Sequence, residues 1–147
     1  MIFHTNIEND TLENNNYRKV ISTQSNMQIV LMSLKPKEEI GNEIHENIDQ
    51  FFRVEKGKAK AIITDNKTNE VTEYELKDGS VIIIPKGTYH NIINVGDIEL
   101  KLYTIYSPPN HNSDLVQLNK PNQEGGYYEK YLKYKIKYLK LNIKNKI

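Results

Sequence analysis

Residues 79–94 read GSVIIIPKGTYHNIIN and predict a β-hairpin. Its first strand covers the apolar block at residues 81–84 and ends at Pro85, because proline has no N–H to donate to a sheet. Gly87 permits a tight reversal, and a second strand then begins at His90. His90 is therefore a polar, metal-capable side chain at the mouth of a hairpin whose other residues are predicted core. A side chain at such a mouth is expected to contribute little packing.

The body of the chain outside this hairpin also predicts strands. Residues 27–34 form a continuous apolar segment that ends before Pro36, and residues 98–106 form another that ends before two prolines. Residues 1–16 are polar and rich in Asn, and they predict an irregular arm. About seven strands separated by turn signals, with no helix in the body, indicate a sandwich or barrel of antiparallel strands.

Residues 43–50 place several polar side chains close together. In an extended strand alternate side chains share a face, so Glu43, His45 and Asn47 are predicted to point the same way. Gln50 lies an odd number of residues beyond Asn47, so a bend between them must reset the register. The segment is therefore predicted to bring a second histidine opposite His90.

Composition excludes several classes of function. The 147 residues include no Cys, so disulfides, thiolate metal sites and cysteine nucleophiles are excluded. The sequence contains no Gly-x-Ser-x-Gly motif and no phosphate-binding Gly-rich loop. No signal peptide and no membrane-spanning run are predicted, which favours the cytoplasm, or the host cytoplasm or virion if the gene is viral.

Residues 79–94 resemble the second conserved motif of the cupin superfamily. The match lies in the spacing of five residues: Gly79, Pro85, Gly87, His90 and Asn94. The similarity extends over residues 6–118, and it is closest to small single-domain bacterial cupins, which are often labelled as mannose-6-phosphate isomerase-like. By this resemblance the expected fold is all-β, a cupin jelly-roll barrel.

The first cupin motif is present in altered form. That motif usually has His-x-His, then a Glu, then a Gly seven residues beyond the Glu. Here His45 is kept, Asn47 replaces the second His, Gln50 replaces the Glu, and Gly57 follows Gln50 by seven. By the resemblance, His45, Asn47, Gln50 and His90 are the expected ligands of a divalent metal ion such as Zn, Fe, Mn or Ni. Glu43, on the predicted face of His45, could restore a carboxylate to this set, and Asp49 is the other candidate.

Two classes of function follow from the resemblance. The first is a metal-dependent isomerase or dioxygenase of a sugar or organic acid, in which Glu43 or Asp49 moves protons and Arg18 reaches an anionic substrate. The second is a ligand-binding or structural cupin whose metal site has degenerated, since Asn47 removes one imidazole. Small cupins commonly self-associate, so a homodimer is expected.

The candidate ligands also have a purely structural interpretation. A histidine in a β-protein is often a hydrogen-bonded structural residue, and Asn47 and Gln50 could satisfy each other at the barrel mouth. Tyr106 is predicted to lie in the core or a pocket wall. His111 falls in a predicted loop and is given no role.

The last 27 residues differ in composition from the rest. Residues 121–147 carry a charge of +5, so residues 1–120 carry −4 in a chain whose net charge is +1. Beyond Gly125-Gly126, Tyr and Leu recur at helical spacing beside Lys, which predicts a basic amphipathic α-helix. It resembles Tyr/Lys-rich endings in proteins of giant DNA viruses. Packing on the barrel or on a second copy is one role, and attachment to an acidic partner, a nucleic acid or a membrane surface is another, although there is no strong nucleic-acid signal.

These differences divide the chain into two predicted units. Residues 1–120 are predicted to form the cupin barrel domain, and residues 121–147 the helical tail.

Overall fold

The computed structural model describes residues 1–121, which form one helix, nine strands and the loops between them. The elements are α1 (Ile7–Glu13), β1 (Arg18–Thr23), β2 (Gln28–Leu34), β3 (Asp49–Lys56), β4 (Ala59–Thr64), β5 (Val71–Leu76), β6 (Val81–Ile84), β7 (Tyr89–Asn94), β8 (Leu100–Ser107) and β9 (Val116–Gln117). The predicted C-terminal helix lies outside the described residues.

The strands form two antiparallel sheets. The larger sheet has the order β6-β3-β8-β2-β1-β9, and the smaller has the order β5-β4-β7. Alternate residues of both sheets are buried in one core, which includes Val30, Met32, Phe52, Ala61 and Ile92. The predicted all-β cupin fold is confirmed. Within residues 1–121, no helix is long and apolar enough to cross a membrane.

The expectation of an irregular arm and a helix-free body is wrong at Ile7–Glu13. The side chain of Asn6 accepts a hydrogen bond from the Asn9 N–H at 3.0 Å, which caps a helix that has Glu8 and Asp10 in its first turn. The polar composition of this segment concealed a capped helix.

The apolar block at residues 81–84 is less buried than predicted. It forms β6, which lies at one edge of the larger sheet. Val81 and Ile83 point outward and are 46% and 63% exposed, whereas Ile84 is buried. A continuous apolar run predicted a strand buried on both faces, but this strand buries only one.

The free edge of β7 is covered by the segment that precedes β3. Single bridges pair Glu39 with Ile93 and Glu43 with His90. The Gly87 N–H donates to the carbonyl oxygen of His45 at 2.8 Å, and Gly87 has a φ of 76°, which glycine adopts without strain. These bonds bring the two predicted histidine segments together.

Candidate metal centre

Three side chains converge where this segment meets β7. The carboxylate of Glu43 and the rings of His45 and His90 each offer a ligand atom, and these atoms lie within 4.8 Å of one another. Glu43 and His90 are a cross-strand pair, so their side chains share one face. The His45 ring lies 5.5 Å from the His90 ring, centroid to centroid. The fold therefore gathers one carboxylate and two imidazoles.

The orientation of His90 leaves its Nε2 as a lone-pair donor. Its Nδ1 lies 3.0 Å from the carbonyl oxygen of Thr88, which can only accept, so Nδ1 carries the proton. Burial lowers the pKa of His90, with smaller opposing contributions from Thr88 and Glu43, and the ring is neutral at pH 7. This is the tautomer of a metal-ligating histidine whose other nitrogen is held by the backbone.

Gln50 faces the same Nε2 atom. Its Oε1 lies 3.1 Å from His90 Nε2, and its Nε2 donates to the Thr104 hydroxyl at 2.9 Å. With Nδ1 protonated, His90 Nε2 and Gln50 Oε1 are both hydrogen-bond acceptors and repel each other. A cation bound to both atoms would remove this repulsion, and so would a Gln50 amide with its oxygen and nitrogen exchanged. The expected mutual hydrogen bond between Asn47 and Gln50 is replaced by these contacts.

Glu43 is ionised and close to His45. Burial raises the pKa of Glu43, but its interactions with the nearby His45 ring and with Arg18 outweigh burial, so the pKa lies below its ordinary value. Glu43 Oε2 lies 3.4 Å from His45 Nε2, which is long for a hydrogen bond. Among residues 1–121, His45 Nε2 is buried without a hydrogen-bond partner. Such an orphaned nitrogen fits a ligand position.

Taken together, the donors fit a divalent metal ion. Two neutral imidazoles and a carboxylate suit Zn, Fe, Mn or Ni, and an amide oxygen adds a harder, weaker donor. Glu43, expected from the sequence either to move protons or to add a carboxylate to the ligand set, lies among the candidate ligands. It supplies the negative charge that the altered first motif lacks.

Asn47 and Asp49 are more exposed than these three donors. Asn47 lies in a turn with Glu46, so the extended strand from which it was predicted to share a face with His45 is not formed there. Asp49 is also exposed, and its Oδ1 accepts a hydrogen bond from the Lys86 N–H at 2.9 Å. The alternation rule failed because the chain turns at residues 46–47 and does not stay extended.

His90 is more deeply packed than a residue at a barrel mouth was expected to be. It is 2% exposed, and its ring lies 6.1 Å from the Phe52 ring, centroid to centroid. The expectation of little packing at this position is therefore wrong. His90 belongs to the core as well as to the candidate site.

Sequence reasoning missed His111, which lies beside the site. Its Nε2 is 3.2 Å from the Tyr106 hydroxyl, and the Tyr106 ring also meets the His45 ring edge-on at 5.8 Å. Gln28 holds the loop in place by accepting a hydrogen bond from the His111 N–H at 2.9 Å. Burial lowers the pKa of His111 to about 4 and raises the pKa of Tyr106, so both groups are uncharged at pH 7. No local sequence signal predicts this contact.

Comparison with known proteins identifies relatives along most of the chain. The uncharacterized protein L612 of Acanthamoeba polyphaga mimivirus is 45% identical over 147 residues, covering 95% of this chain and 90% of that protein. The uncharacterized protein YrkC of Bacillus subtilis is 44% identical over 109 residues, covering 74% of this chain but only 59% of YrkC.

A solved structure and a family model agree with these relatives. The crystal structure of BH2720 from Bacillus halodurans superposes with a TM-score of 0.75 and 39% identity, covering 80% of this chain and 89% of that one. Residues 30–106 match the cupin domain, and the match includes both histidine segments. The chain therefore belongs to the cupin family.

Proposed function

We propose that the chain binds a divalent metal ion through Glu43, His45 and His90, with Gln50 as an additional donor. The observation that carries the proposal is His90, whose backbone-held tautomer aims a lone pair toward the Gln50 amide oxygen. His45 Nε2 supports it, because this buried nitrogen has no hydrogen bond among residues 1–121 and lies 3.4 Å from the Glu43 carboxylate. Asn47 and Asp49 are exposed, and we assign them no direct contact with the metal.

We propose further that this centre acts on a small sugar or organic acid by isomerisation or oxidation. A bound metal would act as a Lewis acid toward a carbonyl or hydroxyl oxygen. Tyr106 and His111 lie beside the centre. Both are uncharged, so each can form a hydrogen bond with a protonated group of the substrate. Neither class of substrate is excluded by this donor set.

A ligand-binding cupin without catalysis is the second candidate. The observation that favours it is the 3.1 Å contact of His90 Nε2 with the Gln50 amide: with the amide atoms exchanged, Gln50 donates to Nε2, and protein partners then satisfy both ring nitrogens, as in a structural histidine. Burial at 2% exposure fits the same role. The two candidates differ in whether the wild-type protein retains metal.

The assignment is tested by metal content and affinity. Wild type, prepared without chelator or His-tag and exchanged into Zn²⁺ or Mn²⁺, is expected to retain about one ion per chain. Glu43→Gln removes the negative ligand with little change of shape and should lose most of that metal. Glu46→Gln makes the same change in the adjacent exposed turn and should retain it. A metal-free wild type under replete conditions would leave the non-catalytic cupin as the function.

Other expectations stay predictions. These are the homodimer, the division into a barrel at residues 1–120 and a tail at residues 121–147, and the location in the cytoplasm or a virion. Light scattering on the full chain measures the first, and limited proteolysis with mass spectrometry measures the second.

A further inference from the structure

The outer face of the larger sheet carries an apolar row that crosses four strands. Four residues that are direct cross-strand partners in β6, β3, β8 and β2 form this row: Ile83, Phe51, Ile105 and Ile29. Their chain neighbours Phe52 and Val30 belong to the core, so the row points away from it. Ile83 is 63% exposed, and the other three are half-buried. The solvent face of an antiparallel sheet is usually polar, so the apolar row indicates a surface that another element covers.

Helix α1 lies on the same face but is anchored away from the apolar row. Lys101 pairs with Ser33 there, four residues along β8 and β2 from the row, which is about 13 Å at about 3.3 Å per residue. The Lys101 ammonium donates to the carbonyl oxygen of Asn14, the residue that follows α1, at 2.5 Å. The seven residues of α1 include three acidic side chains and no basic one. The surface beside the row is therefore negatively charged.

The chain beyond the described residues begins at the opposite edge of this sheet. Residue 121 follows β9 by four residues, and β9 and β6 are the two edge strands. Five strand spacings of about 4.8 Å separate these edges, so about 24 Å of sheet lies between them. Residues 122–147 number 26, and a helix of about 16 residues spans about 24 Å. This segment is therefore long enough to cross the face to β6.

The sequence of residues 122–147 matches this surface in hydrophobicity and charge. Leu or Ile recurs at residues 132, 136, 139 and 143, a spacing of four, three and four that is typical of one face of a helix. Residues 121–147 carry a charge of +5, whereas α1 is acidic. A nucleic acid or an anionic membrane would be repelled by α1 at this face, whereas a basic segment is attracted to it.

We infer that residues 122–147 pack across the outer face of the larger sheet of their own chain, with their Leu and Ile side chains on the apolar row. The contact removes apolar surface of both partners from water, including Ile83, the most exposed residue of the row. The connection at residue 121 favours the same chain over a second copy, because a short linker gives an effective concentration of about millimolar. The inference does not depend on a bound metal.

The experiment uses the absence of Cys from the chain, so that one introduced Cys is the only thiol. The rate at which full-length Ile83→Cys reacts with a maleimide reports cover of the row. Ile98→Cys is the reference, at a position 47% exposed in the loop between β7 and β8. If the segment covers the row, Ile83→Cys should react about tenfold or more slowly than the reference, as expected when the covered state predominates by that ratio. Without a cover it should react at least as fast, because Ile83 is the more exposed position.

Substitutions in the segment test whether it provides the cover. Ile136→Asn with Leu139→Asn, added to Ile83→Cys, removes two apolar side chains from the contact and should raise the maleimide rate to that of the reference. Lys137→Asn with Lys140→Asn makes the same number of changes at neighbouring polar positions. This control should keep most of the protection, since exposed ion pairs contribute little.

A mixing experiment separates the chain's own segment from that of a second copy. Cys-free wild type is added in excess to Ile83→Cys that carries the Asn substitutions at Ile136 and Leu139, and the fast reaction should persist. Restored protection would assign the cover to a second copy and overturn the inference. Three other results would also overturn it: Ile83→Cys as reactive as Ile98→Cys, protection that survives the Asn substitutions at Ile136 and Leu139, and equal loss of protection in the two double variants. Val81→Cys, on the same face of β6, is the second reporter if Ile83→Cys does not fold.

Discussion

The two sides of the candidate metal centre differ in how firmly the fold holds them. His90 lies in β7, where residues 90–94 are all buried, and its Nδ1 is bound to the Thr88 carbonyl. Glu43 and His45 lie in a segment outside the named strands that has two isolated bridges to β7, and His45 Nε2 has no hydrogen-bond partner among residues 1–121. We call these the strand side and the segment side. The protein alone holds the strand side in place, whereas on the segment side one potential metal-ligand atom, His45 Nε2, has no hydrogen-bond partner among residues 1–121.

The difference has a physical origin in the backbone. β7 pairs with β4 over six residues, which holds His90 in a continuous ladder. The segment side is joined to β7 by the paired bonds between Glu43 and His90, at 2.8 and 2.9 Å, and by further bonds upstream, such as that from the Ile40 N–H to the Ile92 carbonyl at 2.9 Å. These bonds fix the backbone of the segment, but none of them holds the His45 ring as the Thr88 carbonyl holds the His90 ring. A metal ion is therefore expected to order the segment side more than the strand side.

The largest expected effect is on the free energy of unfolding, which His90→Ala should lower more than His45→Ala does. His90→Ala in EDTA-treated protein should lower the free energy of unfolding by about 1–3 kcal/mol, because it leaves a cavity and removes partners from buried Gln50 and the Thr88 carbonyl. His45→Ala should cost less than about 1 kcal/mol, since its Nε2 gives up no hydrogen bond. Urea unfolding measures both.

The same two variants should be alike in metal binding. Each removes one imidazole, so each should lose most of the affinity for Zn²⁺. His4→Ala, which removes an exposed histidine, is the control for non-specific metal binding. Equal destabilisation by His45→Ala and His90→Ala would show that the two sides are held equally, and the comparison would then be wrong.

A smaller effect on stability is expected from His111, which lies in a loop. Burial lowers its pKa from 6.5 in the unfolded chain to about 4 in the folded protein. Between these pH values the unfolded chain binds more protons, so stability is full above pH 6.5 and falls as the pH falls toward 4. The ring is partly exposed, so solvent screening reduces the expected loss to about 1 kcal/mol.

His111→Gln should flatten this dependence, and unfolding midpoints measured at several pH values between neutral and acidic check it. His90 contributes a slope of the same sign, because burial lowers its pKa as well. Some slope should therefore remain in His111→Gln. His4→Gln is the matched control and should leave the wild-type slope unchanged. An unaltered slope in His111→Gln would contradict the burial of its ring against Tyr106.

The strand side could be predicted from sequence because local rules determine it. Pro85 and Gly87 fix the reversal and the strand that follows carries His90. Asn94, a further motif residue, closes the end of β7: its side chain donates to the carbonyls of Leu34 and Ile98 and accepts from the Gly96 N–H. Each of these roles follows from the nature of the residue and its place in a turn or strand.

The segment side could not be predicted in the same way. Alternation assumes an extended chain, and the turn at residues 46–47 breaks that assumption, so alternation does not determine the direction of Asn47 relative to His45. His111 reaches the site through a hydrogen bond to Gln28, a residue 83 positions away. Such contacts depend on tertiary packing, which no local pattern records.

The smallest expected effect is that of Asn47→His, the substitution that restores the usual first cupin motif. Asn47 is exposed in a turn, so a histidine there should leave Zn²⁺ affinity within about threefold of wild type and stability within about 0.5 kcal/mol. Asn47→Gln has similar bulk without an imidazole and controls for changes in the turn. If Asn47→His raises Zn²⁺ affinity by about tenfold or more while Asn47→Gln does not, the turn must rearrange to bring the new imidazole to the ion. That result would show the segment side to be mobile enough to rebuild itself around a metal, and it would restore position 47 to the site.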